Sequence, residues 1–462
     1  MSEEKKKQAG KSGIVLTKER GFYRTLLTML VTVALQNLVA YSVNMADNLM
    51  LGSYSQNALS GAATVNQIFF MVQHLATGIS TGLSVLTAQY WGAGRSDRIR
   101  SLSAIGIRIA LVLGSLSVIL CIAIPEPLLR LFTNDTAIIA EGLRYLALIR
   151  WTFLLFLITN ILIAVLRSVE VVRISFYISL ISLIVNVGFN YCLIFGHFGC
   201  PELGIRGAAV GTLIGRILEL AIVLYYVLRI DHRICFRLDE LVKFDRNLRR
   251  EYLRIGFPVV ISTVLWAVSV PMQTAILGHM SSEAIAANSV ATTFYQYAKV
   301  IVSAMTSVSS VLIGKTVGRG DFTRVRAEAN SLQIIYFILG LLLSLLIFLI
   351  RIPLLSVYQL TASTKLLADH LMIIMSGIML GMAYQVPLTY GILQGAGDTH
   401  FTMALNISCT WLITMPLSFL AAFVWKLPIE AVVLCIQADQ VWKGIPAFLR
   451  YRGSRWIRQV SD

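Results

Sequence analysis

The sequence predicts an all-α, polytopic membrane protein whose twelve transmembrane helices form two pseudo-symmetric six-helix lobes. Three observations predict this fold class: the composition, the spacing of the apolar blocks and an internal repeat. Of the 462 residues, 56% are hydrophobic and 14% are charged, and the mean hydropathy is +0.74. Soluble proteins are roughly 45–50% apolar and about 25% charged, so the composition excludes a soluble enzyme, a disordered chain and a disulfide-framework protein.

The apolar residues occur in blocks of about 20 or more, the length that crosses a bilayer as a helix. Short polar connectors separate these blocks. The predicted spans lie near 25–50, 61–90, 101–124, 144–166, 174–195, 204–228, 256–278, 284–313, 327–350, 366–393, 401–425 and 428–450. The first block is longer than the apolar core of a signal peptide and ends without a small-residue cleavage site. We therefore expect it to be retained as the first span.

These spans divide the chain into five segments. We expect a cytoplasmic N-terminal segment over 1–24, an N-lobe over 25–228, a basic cytoplasmic linker over 229–255, a C-lobe over 256–450 and a cytoplasmic tail over 451–462. The linker is rich in charge and lacks an apolar block. It is therefore the natural boundary between the two lobes.

Lysine and arginine are concentrated on one side of this topology. The formal net charge is +15, and most basic residues lie in the N-terminal segment, the even-numbered connectors and the tail. Positive residues favour the cytoplasmic side of a membrane, so we expect both termini in the cytoplasm and the protein in the cell membrane. Because topology accounts for the basic excess, no nucleic-acid partner is expected.

The second half of the chain repeats the first. Residues 24–100 align without a gap on residues 250–326. The matched positions include turn glycines, such as Gly92-x-Gly94 on Gly318-x-Gly320, and cytoplasmic arginines. The first copy begins at the first span and the second copy at the seventh, so both have the same orientation, as in transporters built from parallel repeats. Two lobes facing each other across a central cavity are the architecture that we expect.

Ionisable residues within the spans require a physical reason, because a charge at membrane depth is costly. Arg216 and Glu219, three residues apart, and Asp439 and Lys443, four residues apart, can each neutralise one another on one helix face. Asp47 differs, because no basic residue lies three or four positions away. It is either satisfied by a partner from another helix or exchanges a cation, since burial favours the protonated form of a carboxyl group.

Other polar residues are candidates for the same cation or proton site. Gln36 and Asn44 share the helix face of Asp47. Asn186 and Asn190 lie four residues apart on the fifth span, and Thr212 lies on the sixth. Such side chains either coordinate an ion or join helices through hydrogen bonds. On spacing alone, both interpretations stay open.

The second half contains candidates for a substrate cavity. Lys299 lies near the middle of a span without an acid nearby in the sequence, and it is either a substrate or gating charge or the partner of a distant acid. Aromatic and polar side chains that could line a cavity are Trp266, Gln273, Tyr295 and Tyr384. Aromatic faces bind flat or cationic organic molecules, but each of these aromatics could equally pack or anchor at the membrane interface.

An ordered set of motifs resembles the multidrug and toxic compound extrusion (MATE) family. The motifs are Asp47-x-x-x-Leu51-Gly52, Gly92-Ala93-Gly94, Gly318-x-Gly320, the run Leu393-Gln394-Gly395-Ala396-Gly397-Asp398-Thr399, and Arg452-Gly453-Ser454-Arg455-Trp456. The resemblance covers roughly residues 24–456. It implies a secondary antiporter in which inward Na⁺ or H⁺ movement drives the export of organic, often cationic, compounds. It also implies a central coupling role for Asp47, with Asn186 and Thr212 at the family's asparagine and threonine positions.

The chain departs from the family pattern at several positions. Asn190 stands where some members carry an aspartate, and Trp266 and Ala383 stand where NorM-like members carry acids. These absences make the chain more similar to the DinF-like side of the family. Thr32 replaces a proline that often bends the first helix, so a proline-driven bend is not expected here.

We therefore expect an antiporter that works by alternating access without an enzymatic cofactor, with H⁺ or Na⁺ as coupling ion. The expected partners are a small-molecule substrate and the lipid bilayer, and we expect a monomer. A flippase for lipids or lipid-linked saccharides is the alternative, because it shares the repeat architecture, and it would require a basic cavity for phosphate. A membrane enzyme is not expected, because the spans contain few histidines and no HExxH motif. A channel is a further alternative, and ungated conductance in a bilayer would support it.

Overall fold

The computed structural model describes residues 15–243, 245–280, 282–357, 361–453 and 455–459. Residues 1–14 of the predicted N-terminal segment lie outside the described residues. The same holds for Ser454 and residues 460–462 of the predicted tail. Most of the described chain is helical, in keeping with the predicted all-α class.

Six long helices form the first half of the chain. They are α1 (Arg20–Tyr54), α2 (Gln56–Gly92), α3 (Ser96–Ala123), α4 (Thr136–Ser168), α5 (Arg173–Phe195) and α6 (Ile205–Ile230). A short helix, Pro125–Arg130, lies between α3 and α4. The Asp135 side chain accepts hydrogen bonds from the first backbone N–H groups of α4, which explains where that helix begins.

The second half repeats this pattern. Its helices are α7 (Arg246–Gly278), α8 (Ser282–Gly318), α9 (Phe322–Val357), α10 (Ala362–Leu393) and α11 (Thr399–Val424), followed by α12 (Ile429–Gln437), α13 (Asp439–Trp442) and α14 (Gly444–Arg452). The helix α7 begins within the predicted linker. Segments of π-helix occur in α10 at Pro387–Leu393 and in α11 at Ser408–Thr414, where extra residues in a turn re-aim the side chains.

Among the described residues, eleven helices are long and apolar enough to cross a membrane. The predicted twelfth span, near 428–450, comprises the three short helices α12, α13 and α14. The residues between them, Ala438 and Lys443, keep helical backbone angles. At the first junction the Ala438 N–H bonds to the Cys435 carbonyl, three residues back, so the helix tightens there instead of stopping.

The helices group into two compact units. The N-unit comprises Val31–Thr87 and Gly94–Val260. The C-unit comprises the chain up to Leu30, Ala88–Ala93 and the chain from Ile261 onward. Within the N-unit, α6 packs against both α5 and α4, and α3 packs against α4. Within the C-unit, α10 packs against both α8 and α9 around a methionine-rich apolar core.

The repeat extends to the backbone of the turns. Gly94 follows α2 with φ +74°, and Gly320 follows α8 with φ +76°. L-residues with a side chain rarely adopt this left-handed conformation, so each copy of the repeat ends its second helix with a glycine for the same steric reason. The turn after α10 contains Gly397 at φ +94°, as expected for its glycine-rich sequence.

Candidate functional site

A buried carboxylate on α1 is the centre of a polar cluster in the N-unit. Asp47 is 8% exposed. Its Oδ1 accepts a hydrogen bond of 2.5 Å from Asn190 Nδ2, and its Oδ2 accepts one of 3.4 Å from the Thr212 hydroxyl. Asn190 Nδ2 also lies 3.3 Å from Asn186 Oδ1, and Asn186 Nδ2 donates to Thr212 Oγ1 at 3.1 Å. The structure therefore brings together four of the predicted coupling residues, from three helices.

Close packing of α5 on α6 positions the two asparagines. Their spacing of four residues puts both on one face of α5. On α6, a Cβ at Gly207 would meet the Leu193 carbonyl, and one at Gly211 would overlap Asn190 Oδ1. Helices approach this closely only where a side chain is missing. The glycines of α6 therefore let the Asn190 amide reach Asp47.

The nearby arginine is paired with a different acid. Arg216 donates to Glu219 at 2.8 Å, and its guanidinium lies 4.9 Å from the ring centre of Phe156. Arg216 acts on Asp47 electrostatically, but its guanidinium group donates a hydrogen bond to Glu219. The hydrogen bonds that the structure gives to Asp47 come from neutral side chains. The predicted i,i+3 pair of Arg216 with Glu219 is present.

The cluster presents several oxygen atoms to one small volume. These are both carboxylate oxygens of Asp47, the amide oxygens of Asn186 and Asn190, and the Thr212 hydroxyl. Among the described residues, Asn190 Oδ1 has no hydrogen-bond partner although the side chain is fully buried. Oxygen ligands suit hard cations, and an unpaired acceptor next to a carboxyl group also suits a proton. The chemistry of the cluster is therefore compatible with either coupling ion.

The structure does not bring the two other α1 candidates to Asp47. Gln36 Oε1 accepts a hydrogen bond of 3.3 Å from Arg167 on α4. Asn44 is exposed. Both lie on the helix that carries Asp47, but their side chains have other surroundings.

Three of the predicted cavity residues meet in the C-unit. Lys299 Nζ lies 5.5 Å from the ring centre of Trp266 and 5.9 Å from that of Tyr295. Tyr295 is 3% exposed and its hydroxyl donates to Met382 Sδ. An ammonium over two aromatic faces is stabilised by cation–π attraction. Of the other two candidates, Tyr384 donates to Gln333 Oε1 at 2.7 Å, and Gln273 is half-buried on α7.

A second polar cluster in the C-unit surrounds the predicted pair of Asp439 and Lys443, whose atoms Oδ2 and Nζ are 2.7 Å apart. Lys443 also donates to Asn406 and Thr410 on α11, two residues that sequence reasoning missed. A signal was present, because Asn406 and Thr410 are spaced four residues apart on the eleventh span, like Asn186 and Asn190 on the fifth.

The two repeated helical halves and the buried carboxylate cluster define a multi-pass membrane transporter. A sequence model of the MatE family matches residues 32–192 and 258–420. The two matched segments begin at the spacing of the internal repeat, one in each half. The chain therefore belongs to the MatE family, which confirms the resemblance seen in the sequence. This is a family of transporters and not of enzymes.

Individual relatives support this assignment over nearly the whole chain. The chain is 26% identical over 430 residues to a probable multidrug resistance protein NorM of Thermotoga maritima, covering 92% of this chain and 91% of that protein. It is 28% identical over 441 residues to a probable multidrug resistance protein NorM of Rhizobium meliloti, with coverage of 92% and 91%. The placement on the DinF-like side stays a prediction that rests on the missing acids.

Solved structures share the fold. The Vibrio cholerae MATE transporter VcmN in its bent form superposes with a TM-score of 0.83 at 19% sequence identity. The match covers 94% of this chain and 97% of that one. At this level of identity the likeness establishes the architecture alone.

Proposed function

We propose that this chain is a secondary active antiporter that exports organic compounds in exchange for H⁺ or Na⁺ by alternating access. The observation that carries the proposal is the Asp47 cluster. Its buried carboxylate receives hydrogen bonds from the neutral side chains of Asn190 and Thr212. A membrane-depth carboxylate without a bonded lysine or arginine is able to gain and lose a small cation, whereas a tight ion pair would hold it in one state.

Two opposing effects act on the protonation of Asp47 in this environment. Burial favours the neutral acid, while donation from Asn190 and Thr212 favours the carboxylate. If the ion is a proton, rotation of the Asn190 amide presents its free Oδ1 to the new O–H group. If the ion is Na⁺, the same oxygen joins those of Asp47 and Thr212 as a ligand.

Ion binding is coupled to helix positions because the ligands lie on different helices. Asp47 belongs to α1, while Asn190 and Thr212 belong to α5 and α6. A proton or Na⁺ on the carboxylate replaces hydrogen bonds that join α1 to the other two helices. We infer that the ion-bound and ion-free forms prefer different positions of α1 within the N-unit, and that the substrate has a different affinity for each.

The ion gradient provides enough free energy for this export. One charge that crosses a membrane potential of 100 mV contributes about 2.3 kcal/mol. This corresponds to roughly fifty-fold accumulation of the exported compound. This value applies to a neutral compound, because its exchange for one cation moves one net charge across the membrane. Exchange of a monovalent cationic compound for one cation moves no net charge, so its export is driven by the concentration gradient of the ion.

We propose cationic or amphipathic organic compounds as substrates. Relatives of this chain are named multidrug resistance proteins. In the C-unit, the aromatic faces of Trp266 and Tyr295 lie beside Lys299, a combination that suits an aromatic molecule. Tyr384 and Gln273 are weaker candidates for the same surface.

The flippase alternative is less favoured. Phosphate recognition needs several available basic groups. The three candidates among the spans are engaged otherwise: Arg216 bonds to Glu219, Arg108 donates to a backbone carbonyl of its own helix, and Lys299 lies over aromatic rings. A flipping assay with a labelled lipid separates the two functions.

The topology and assembly belong to the same proposal. We propose that both termini lie in the cytoplasm of a multi-pass protein of the cell membrane. The concentration of basic residues in the even-numbered connectors supports this orientation. We also propose that the protein functions as a monomer and binds no nucleic acid.

The experiment that tests the function is a substrate-efflux assay in proteoliposomes with separately imposed Na⁺ and H⁺ gradients. Wild-type protein is expected to export substrate under one of the two gradients. Asp47→Asn should abolish gradient-driven export while the protein remains folded. Asn44→Ala is the matched control, because Asn44 lies one turn away on the same helix and is exposed. Wild-type export by Asp47→Asn would overturn the assignment.

A further inference from the structure

The C-unit contains a buried ion pair that the proposed transport mechanism does not use. Asp439 and Lys443 are each 2% exposed. Two charges removed from water are tolerated only where each receives several hydrogen bonds. The hydrogen-bond acceptors around the Lys443 ammonium group meet this condition.

The ammonium group of Lys443 is enclosed by oxygen atoms. It donates to Asp439 Oδ2 at 2.7 Å, to Asn406 Oδ1 at 2.8 Å and to Thr410 Oγ1 at 2.9 Å. An ammonium group has three protons, so three acceptors at these distances satisfy it completely. A carboxylate, an amide oxygen and a hydroxyl oxygen are also ligands that hard cations take from proteins. The nitrogen of Lys443 therefore lies where a small monovalent cation would be coordinated.

Other residues hold these oxygen ligands in place. Asn406 Nδ2 donates to the hydroxyl and the carbonyl of Ser262 at 2.8 and 3.1 Å, which directs Asn406 Oδ1 toward the ammonium group. Gln440 donates to Asp439 Oδ1 at 2.9 Å, which leaves Oδ2 for the cation. Thr410 lies in the π-helical segment of α11. The ligand set thus has supports that do not depend on the lysine.

The two halves of the chain build their buried clusters in a corresponding way. In the N-unit, Asn186 and Asn190 lie four residues apart on the fifth helix and surround the carboxylate of Asp47. In the C-unit, Asn406 and Thr410 lie four residues apart on the eleventh helix and surround an ammonium group. Within the described part of the chain, no basic side chain is hydrogen-bonded to the carboxylate of the first cluster. The second contains a cation that is part of the chain.

We propose that Asp439, Asn406 and Thr410 form a monovalent-cation site that the Lys443 ammonium group occupies as a tethered cation. The C-unit then exchanges no cation with the solvent. If Asp47 couples transport, which rests on the proposed function, each cycle exchanges cations in the N-unit alone. The existence of the C-unit site does not depend on that function.

The test measures the thermal stability of purified protein in an Asp47→Asn background, which removes the N-unit carboxylate. Adding Lys443→Ala should create a response to NH₄⁺, Na⁺ or K⁺. At about ten times the dissociation constant we expect a rise in Tm of roughly 1–2 °C. N-methylglucamine, which is too large for the site, should have no effect. Two controls should show no change in Tm with any of these cations. The first is Asp47→Asn alone, and the second is Asp47→Asn combined with Asp439→Asn and Lys443→Ala.

The proposal would be overturned if the stability of Lys443→Ala showed no selective response to a cation. It would also be overturned if this variant could not be purified as folded protein in a buffer that contains ammonium salt. A second variant, Asp439→Asn with Lys443→Met, keeps the site neutral. It should fold and export with the wild-type number of cations per substrate. A changed number would show that the pair exchanges cations and contradict the tethered role. These outcomes differ from failure of the proposed function, which appears as export that does not depend on Asp47.

Discussion

The contact of α5 with α6 provides a prediction whose magnitude follows from the structure. In Gly211→Ala, the new Cβ would overlap Asn190 Oδ1 and lie 3.2 Å from the Asn190 backbone nitrogen. Rotation of the amide relieves the first contact but not the second. The helix α5 must therefore shift away from α6, and the 2.5 Å hydrogen bond from Asn190 to Asp47 must lengthen or break.

Two effects of Gly211→Ala can be expressed as free energies. Overpacking of a tight interface costs about 1–3 kcal/mol of folding stability. Loss of a hydrogen bond to a charged group costs about 1.5–3 kcal/mol. If the ion-free form depends on that bond, the cation concentration for half-maximal export changes by about tenfold or more. Thermal unfolding measures the first effect, and export at a series of ion concentrations measures the second.

Gly188→Ala is the matched control for this prediction. Gly188 lies on α5, is exposed, and has no neighbour within 4 Å of the new Cβ. Exposed substitutions of this kind change stability by about 0.5 kcal/mol or less. If Gly211→Ala matched Gly188→Ala in both stability and ion dependence, the close approach of α5 to α6 would have no role in holding Asp47.

Further predictions concern the turns and the arginine beside the site. Gly94→Ala and Gly320→Ala should each lower stability by about 1–2 kcal/mol, because both glycines have positive φ, and chemical or thermal unfolding should give similar losses for the two. Glu219→Gln removes the partner of Arg216, whose charge then competes for the Asp47 carboxylate. The cation concentration for half-maximal export should rise by about tenfold, as measured in ion-titrated efflux.

Each of these predictions has a control within the same chain. Gly377 lies within α10, with open space around a new Cβ, so Gly377→Ala should leave stability nearly unchanged. Glu126 forms an exposed pair with Arg130 at 2.7 Å, so Glu126→Gln should leave ion dependence unchanged. Equal losses in Gly377→Ala and Gly94→Ala, or equal shifts in the two glutamate variants, would contradict the reasoning.

Much of the fold could be predicted because it depends on composition and local spacing. The apolar blocks locate the helices, and the repeat locates Gly94 and Gly320 at equivalent turns. The ion pair of Arg216 with Glu219 also follows from spacing, since residues three apart share a helix face. These features need no knowledge of how the helices pack.

Contacts between distant segments could not be predicted in this way. Gln36 bonds to Arg167, which lies 131 residues away in sequence, although helix periodicity placed Gln36 on the face of Asp47. Two of the three acceptors of Lys443, Asn406 and Thr410, lie on α11. The helix also tightens at Ala438 within the last predicted span, where no proline or glycine marks the position. Such features depend on which helices are neighbours, and a single sequence does not specify this by spacing alone.

If the substrate binds the ion-free form of Asp47 more tightly than the ion-bound form, substrate binding must release the ion, and this release can be measured directly. Purified protein in weakly buffered solution, or loaded with labelled Na⁺, is mixed with a transported substrate, and the released ion is counted. The wild-type protein is expected to release about one cation per substrate bound, and Asp47→Asn is expected to release none. Equal release by both proteins would contradict this expectation.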